Sequence, residues 1–480
     1  MRNELFSVLP EILLLCGASI ILLVDVMVAE ARRHIGFWLT QITLLLCALA
    51  TLATAQINPI WVFHGLVVND LVSGLLKFFN CIALVLMLFF SRGYLEARGL
   101  FRGETFVLTL FSLLGMMVMI SASNFITLYL GLELLALSSY AMVAMYRTSN
   151  RASEAAMKYF VLGALASGMM LYGMSMLYGA TGSLDILQVG RAVLEGRGNH
   201  TLLVFGLVFV VSGIAFKLGA APYHMWIPDV YDGAPTAVTL LVGSAPKLAA
   251  FAFMLRMLAV AMGGMENDWQ QMLGVLAVLS MVLGNVIAIA QTNIKRMLAY
   301  STIANMGYML MGFLTGNLNG YSAAMFFTVA YVLTTLASFG MVMLLSRQGF
   351  EADQLDDFRG LNQRSPWWAF MMLLVMFSLA GLPPTVGFYG KFAVIEAAVN
   401  AGYIWLAVVA VLTSLIGAFY YLRIVKLMYF DEPTDNTPIV ARNDTRALLS
   451  LNGIALLVFG VLPQQLMALC VVALAQSGFL

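Results

Sequence analysis

The chain has 480 residues, of which 61% are hydrophobic and 10% charged, and its net charge is +1. Soluble domains carry about 25% charged residues, so this is an all-α polytopic membrane protein, and its longest polar stretches (181–200, 348–366 and 430–446) are only loop-sized. Four cysteines without CxxC spacing exclude an iron–sulfur or zinc site, no glycine-rich loop offers a dinucleotide site, and no nucleic-acid partner is expected.

A membrane-spanning helix needs about 20 apolar residues. Hydropathy predicts fourteen spans: 6–29, 35–56, 68–91, 105–121, 124–146, 153–179, 201–231, 236–262, 268–290, 295–315, 320–347, 366–398, 402–428 and 446–477. The first follows no cleavable signal pattern. The seventh and twelfth are too long for one straight helix and contain Pro222 and the Pro383–Pro384 pair, so both are predicted to be broken. Sorting the loops alternately puts 16 basic residues on one side and 3, with the termini, on the other. Lys and Arg collect on the cytoplasmic side, which predicts both termini on the outer, periplasmic side.

Pro222 and Pro384 lie 162 residues apart, and the fourth and ninth spans start 163 apart. This spacing implies two five-helix units, 105–262 and 268–428, between an N-terminal three-helix segment (1–104) and a C-terminal segment (429–480). An odd number of spans per unit makes the repeats inverted, a mark of transporters.

Six basic residues, Lys77, Lys158, Lys217, Lys247, Arg256 and Lys391, fall inside predicted spans, as does Glu133 in ITLYLGLELLALSSYAM. A charge at mid-bilayer costs from about 2.5 kcal/mol upward. Near a helix end a long side chain snorkels to the headgroups; that reading suits Arg256 and leaves Lys77 open between a bland and a functional role. Lys158 stands nearer the cytoplasmic end of its span. Glu133 and Lys247 are near mid-depth, and Lys217 and Lys391 flank the breaks. A break at membrane depth is tolerated only where protein or water lines it. Lys217 precedes Pro222, at the negative end of a half-helix, and Lys391 follows its break, at the positive end of one; the two ammonium groups are therefore expected to be biased oppositely. Pairing with Glu133 would hold a proton on Lys217, and separation would release it. Moving one charge through 100 mV takes about 2.3 kcal/mol, equivalent to about 1.7 decades in a proton-binding constant. Burial moves lysines by up to roughly 3–5 decades, so one buried lysine can work against a membrane potential. Ser244, Asn305 and His224 are candidate relay groups, with helix–helix hydrogen bonding the alternative for the first two and a structural donor role for His224.

The stretches PYHMWIPDVYDGAPTAVT, QTNIKRMLAYSTIANMGYM and SLAGLPPTVGFYGKF resemble the antiporter-like membrane subunits of respiratory complex I, a proton-translocating NADH–quinone oxidoreductase, over essentially the whole chain. The first two are shared with multisubunit cation/proton antiporters, which is the alternative reading. The lysine of GFYGKF distinguishes one branch of the complex I family from a sister branch with glutamate there. Mitochondrial counterparts of this branch commonly lack the first three helices, so their presence favours a bacterial inner-membrane protein. The resemblance implies that Glu133, Lys217, Lys247, Lys391 and Lys158 handle protons. It also implies that NADH, FMN, iron–sulfur clusters and quinone belong to partner subunits, and that the chain neighbours other membrane-arm subunits, including a sister antiporter-like one. Relatives often carry a histidine where this chain has Asn305, so a titratable relay at that point is not implied.

Overall fold

The computed structural model describes residues 2–28, 32–435 and 437–478; the last residue of the first predicted span, 29, lies outside them. The helices follow the predicted spans in order: α1 (Leu9–Met27), α2 (His34–Thr54), α3 (Leu71–Ala97), α4 (Gly103–Ser121), α5 (Phe125–Val143), α6 (Asn150–Thr181), α7a (His200–Leu218), α7b (Trp226–Gly233), α8a (Thr236–Gly243), α8b (Pro246–Met254), α9 (Glu266–Ile289), α10 (Ile294–Phe313), α11 (Leu318–Leu345), α12a (Pro366–Ala380), α12b (Val386–Asn400), α13 (Ile404–Phe430), α14a (Asn443–Val461) and α14b (Gln464–Gln476). Twelve helical stretches among the described residues are long and apolar enough to cross a membrane; α10 and the two halves of α12 account for the other two spans. The centre of the bundle is α8 and α11, buried along nearly their whole length, while α1, α6, α13 and α14a form the outer surface.

Both predicted breaks are present, and they share more than a proline. Each first half ends in a left-handed glycine, Gly219 (φ 80°) and Gly381 (φ 79°), also 162 residues apart. The Ala221–Pro222 and Pro383–Pro384 peptide bonds are both cis. Three features differ from the sequence expectation. α8 is broken too, at Ser244–Ala245 before Pro246, and beyond Met254 it winds on as a π-helix over Leu255–Ala261. The polar stretch 181–200 contains a short amphipathic helix, Ile186–Leu194, packed on that π-helical turn. A small hairpin, β1 (Ile60–Val62) with β2 (Val67–Asn69), pairs Trp61 with Val68 between α2 and α3.

The N-terminal segment is joined to the rest by buried charge. Arg256, on the π-helical turn, does not snorkel. Its guanidinium is 2.8 Å from Asp70 Oδ2 and 3.0 Å from Ser73 Oγ, and Asp70 is fully buried while its Oδ1 caps α3 at Ser73 N. Lys77 is also buried, 2.5 Å from Glu11 of α1. Removing one partner of a buried pair leaves an uncompensated charge. Arg256→Met is therefore expected to cost about 3–5 kcal/mol, seen as a lower Tm of the solubilised protein, and Asp70→Asn in the same chain recovers part of the loss.

Opposite that end, the chain between α11 and α12a folds back onto α10. Ile294 N donates to Asp353 O (2.7 Å) and Leu355 N to Thr292 O (2.9 Å). This places Glu351 against Arg98, Tyr94 and Thr236. Burial alone would raise the Glu351 carboxyl; Lys295, Arg98 and the hydrogen bonds from Thr236 and Arg98 outweigh it and hold the group below its ordinary value. Asp232, Asp353 and Arg151 are the other charges around Lys295. A depressed carboxyl contributes stability that is complete above the unfolded value, about 4.3, and is lost as pH falls through the folded value. Acid unfolding should therefore be less steep in Glu351→Gln, with a lower plateau at neutral pH, measured by thermal shift across pH.

Candidate functional site

A broken helix leaves carbonyl groups without amide partners. At the first break, Gly219 N–H donates to Ala215 O and Phe216 O, and Ala220 N–H to Ala215 O. The next two carbonyls, Lys217 O and Leu218 O, receive the Lys247 ammonium, at 3.3 and 2.9 Å. At the second break Gly381 N–H donates to Phe377 O and Ser378 O. The following carbonyls, Leu379 O and Ala380 O, receive the Lys391 ammonium, both at 3.0 Å. Each half-helix thus ends in the same two-carbonyl cradle filled by a lysine.

The cradles differ in where the lysine comes from. Lys247 reaches across from α8b, just past the Ser244 break, and Ser244 O accepts from its backbone N–H (3.0 Å). Lys391 comes from α12b, the second half of its own broken helix. Its Cα is near the start of α12b, yet its ammonium lies at the negative end of α12a. The expected opposite bias of Lys217 and Lys391 is therefore corrected: the positive end of α12b does not hold the Lys391 charge. A Cβ on Gly381 would stand 2.7 Å from the Lys391 Cδ, so glycine serves there both for the turn and for the passing stem.

Aromatic side chains fix the first site. Trp226, at the start of α7b, stacks on Tyr159 of α6 (4.6 Å between ring centres), and Tyr159 meets Tyr140 of α5 edge-on at 4.6 Å. Trp226 Nε1 donates to Phe216 O (2.9 Å), and the Lys247 ammonium lies 5.6 Å from the Trp226 ring. α5 is held against α4 by contact of backbones at Gly115 and Gly131: a Cβ on Gly131 would lie 2.7 Å from Met119 N. Small residues allow such approach in membranes. Two positions further on, Glu133 is half-buried, and its Oε1 has no hydrogen-bond partner. No contact ion pair links it to Lys217 among the described residues.

The second site borders a small, partly polar cavity. Lys391 also donates to Ser414 Oγ (3.2 Å) and lies 4.8 Å from the Tyr308 ring. Beside it is a cavity of about 10 Å³, bounded among others by Asn305, Tyr331, Thr334 and Ser378, about the space of one water centre. Asn305 Nδ2 donates to Ser301 O (2.8 Å), and Ser301 Oγ is 2.5 Å from Tyr421 OH. Ser244 Oγ is spent on Leu240 O (2.5 Å). His224 lies in the α7a–α7b connection, half-buried, with Nδ1 unpartnered. Lys158 is not part of either cradle: it is exposed and pairs with Glu154 (2.7 Å) and Asp229 (2.8 Å). With Arg151, Asp232 and Arg296 these residues line a cavity of about 160 Å³. Sequence reasoning missed Lys295, counted among loop charges but buried in the first turn of α10; its place between two apolar spans gave no signal. It also missed the α8 break, for which Pro246 was the available sign.

A family profile described as NADH:quinone oxidoreductase/Mrp antiporter, TM matches residues 122–417, the stretch that holds both breaks, Glu133 and all three site lysines. This defines an antiporter-like membrane protein. NADH-quinone oxidoreductase subunit N of Thiobacillus denitrificans is 59% identical over 469 residues, covering 98% of this chain and 97% of that one. The same subunit of Methylovorus glucosotrophus is 55% identical over 477 residues, with 99% of each covered. A chain in the structure of respiratory complex I from Thermus thermophilus with bound Aureothin superposes with a TM-score of 0.82 at 32% identity, covering 96% of this chain and 98% of that chain. The chain belongs to the NADH-quinone oxidoreductase subunit N family, membrane-arm subunits of the proton-translocating respiratory complex I.

Gly381→Ala would strain the left-handed turn and push on the Lys391 stem, at a cost of at least about 1 kcal/mol. The expected result is a lower Tm and slower proton uptake together, whereas Gly402→Ala, at a left-handed glycine (φ 88°) whose added Cβ meets open space, should lower Tm alone.

Proposed function

We propose that Glu133, Lys217, Lys247 and Lys391 carry the protons this subunit moves, with Lys158 and its acidic neighbours on the uptake side. The supporting observation is the pair of equivalent carbonyl cradles, each holding a lysine beside a helix break. An ammonium held by carbonyls keeps its charge in a membrane interior; moving the half-helix end away withdraws that support and favours loss of the proton. Lys247 binds the backbone carbonyl of Lys217, and the two ammonium groups are near enough to repel. A proton arriving on Lys217 therefore tends to displace one from Lys247. Glu133, with an unpartnered oxygen, supplies the negative charge that biases this exchange as its distance changes. From there the path runs past Ser301 and Asn305 to the single-water cavity and Lys391. Pro222 and the Pro383–Pro384 pair keep the carbonyl ends open. His224 and Ser244 border the first site as lesser relay candidates.

On this reading α4–α8 and α9–α13 are inverted repeats, and both termini lie on the periplasmic side of a bacterial inner membrane. Lys391 is then the exit group, and the Lys158–Asp229–Arg296 cluster faces the cytoplasm. The chain itself carries no flavin, iron–sulfur cluster or NADH site. Those groups and the quinone belong to partner subunits, among which a sister antiporter-like subunit is the expected neighbour in the membrane arm.

The test is NADH-driven proton uptake in inside-out vesicles, with assembly and NADH oxidation by an artificial acceptor followed in parallel. Lys217→Ala should lower uptake and quinone-linked turnover while the complex stays assembled. Lys391→Arg keeps the charge but cannot release a proton at usable pH, and should lose uptake by an order of magnitude or more. Unchanged uptake in both assembled variants would remove these lysines from the path.

A further inference from the structure

α7b and α8a are each eight residues long and meet at Ala234–Pro235. They form a short V. One tip ends at the Pro222 break beside Lys217, and the other at the Ser244 break, three residues before Lys247. The vertex is gripped from outside the α4–α8 group. Lys295 of α10 donates to Asp232 O (3.1 Å) and Ala234 O (2.7 Å), the carbonyl end of α7b. Glu351, on the chain after α11, accepts from Thr236 Oγ1 (2.5 Å) at the start of α8a. Tyr94 OH donates to the same carboxylate (3.0 Å) and accepts from Thr236 N (3.0 Å). Arg98 pairs with Glu351 and lies 3.7 Å from the Tyr94 ring centre. The strap carrying Glu351 is itself hydrogen-bonded to the first residues of α10. Lys295 is buried and makes no contact ion pair among the described residues. Two carbonyls of one helix end are its direct partners.

We propose that Lys295 and Glu351 are positioning residues that hold the vertex of this V from the α9–α13 group. They set the separation of Lys217 and Lys247, and so link proton exchange at the first break to movement of α10 and α11. The inference rests on the reading of Lys217 and Lys247 as proton sites. A rod of eight residues is about 12 Å long, so a small rotation at the vertex is delivered to both tips. The Lys247 ammonium would then move against the end of α7a, beyond which Ala221 is held by Ser280 of α9 (2.8 Å).

The experiment uses the assembled complex in inside-out vesicles and compares Lys295→Met, Lys295→Arg and Glu351→Gln, with Lys247→Ala as reference. Lys295→Met should lower protons taken up per NADH by roughly 2- to 30-fold, the range seen for residues in coupling networks, with artificial-acceptor oxidation unchanged. Lys295→Arg retains the donors to both carbonyls and should restore uptake, unlike Lys391→Arg. Glu351→Gln should fall between wild type and Lys295→Met, and it decides the matter if Lys295→Met fails to assemble. Wild-type uptake in assembled Lys295→Met, or in Glu351→Gln where that variant decides, overturns the inference. Loss of uptake in Lys295→Arg equal to that in Lys295→Met also overturns it, since Lys295 would then carry protons itself. Unchanged uptake in Lys247→Ala overturns the underlying reading of the lysines instead, whatever the Lys295 variants do.

Discussion

A backbone carbonyl that loses its amide partner inside a membrane must find another donor, and that requirement organises the centre of this protein. In α7 and α12 the first half ends in a left-handed glycine, whose own N–H and that of the next residue satisfy the earlier carbonyls. Two carbonyls remain, and a lysine fills each pair. The charge is affordable because it does structural service, and the structure is sensitive because a titratable group holds it together. Deep lysines and broken helices are one feature seen from two sides.

The two cradles are mechanically unlike. In α12 the donor and the acceptors belong to one interrupted helix, so the bond closes a short loop on itself. In α7 the donor comes from α8b, beyond a second break, and the V of α7b and α8a stands between them. The second cradle thus lies within one interrupted helix, with Ser414 of α13 as a further partner, whereas the first joins two helices. The aromatic stack of Tyr140, Tyr159 and Trp226 ties that first site to α5, which carries Glu133. Close backbone contact at Gly115 and Gly131 in turn fixes α5 on α4.

Much of this was legible in residue order. Hydropathy alone located helices at all fourteen predicted positions, and twelve helices among the described residues are long and apolar enough to cross a membrane. Prolines in two over-long spans marked the breaks, and the 162-residue offset found with Pro222 and Pro384 holds for Gly219 and Gly381 as well. What stayed hidden depended on partners distant in sequence. Arg256 looked like a snorkelling residue because nothing in its own span announces Asp70, 186 positions earlier. Lys391 looked as if it belonged to the positive end of α12b, because a sequence position gives the Cα and not the reach of a four-carbon stem. Lys295 looked like one more loop cation, because the carbonyls that bury it end a helix some 60 residues away.

The Asp70–Arg256 pair is one of the buried polar links between the first three helices and the rest of the chain. A chain that shed α1–α3 would take the Asp70 carboxylate away from the Arg256 guanidinium, at the face from which the segment had departed. Such shortening would favour replacement of that arginine, or a new subunit that brings its own carboxylate to the vacated surface. The N-terminal segment is thus tied to the core by charge as well as by packing, and its removal would be felt at position 256.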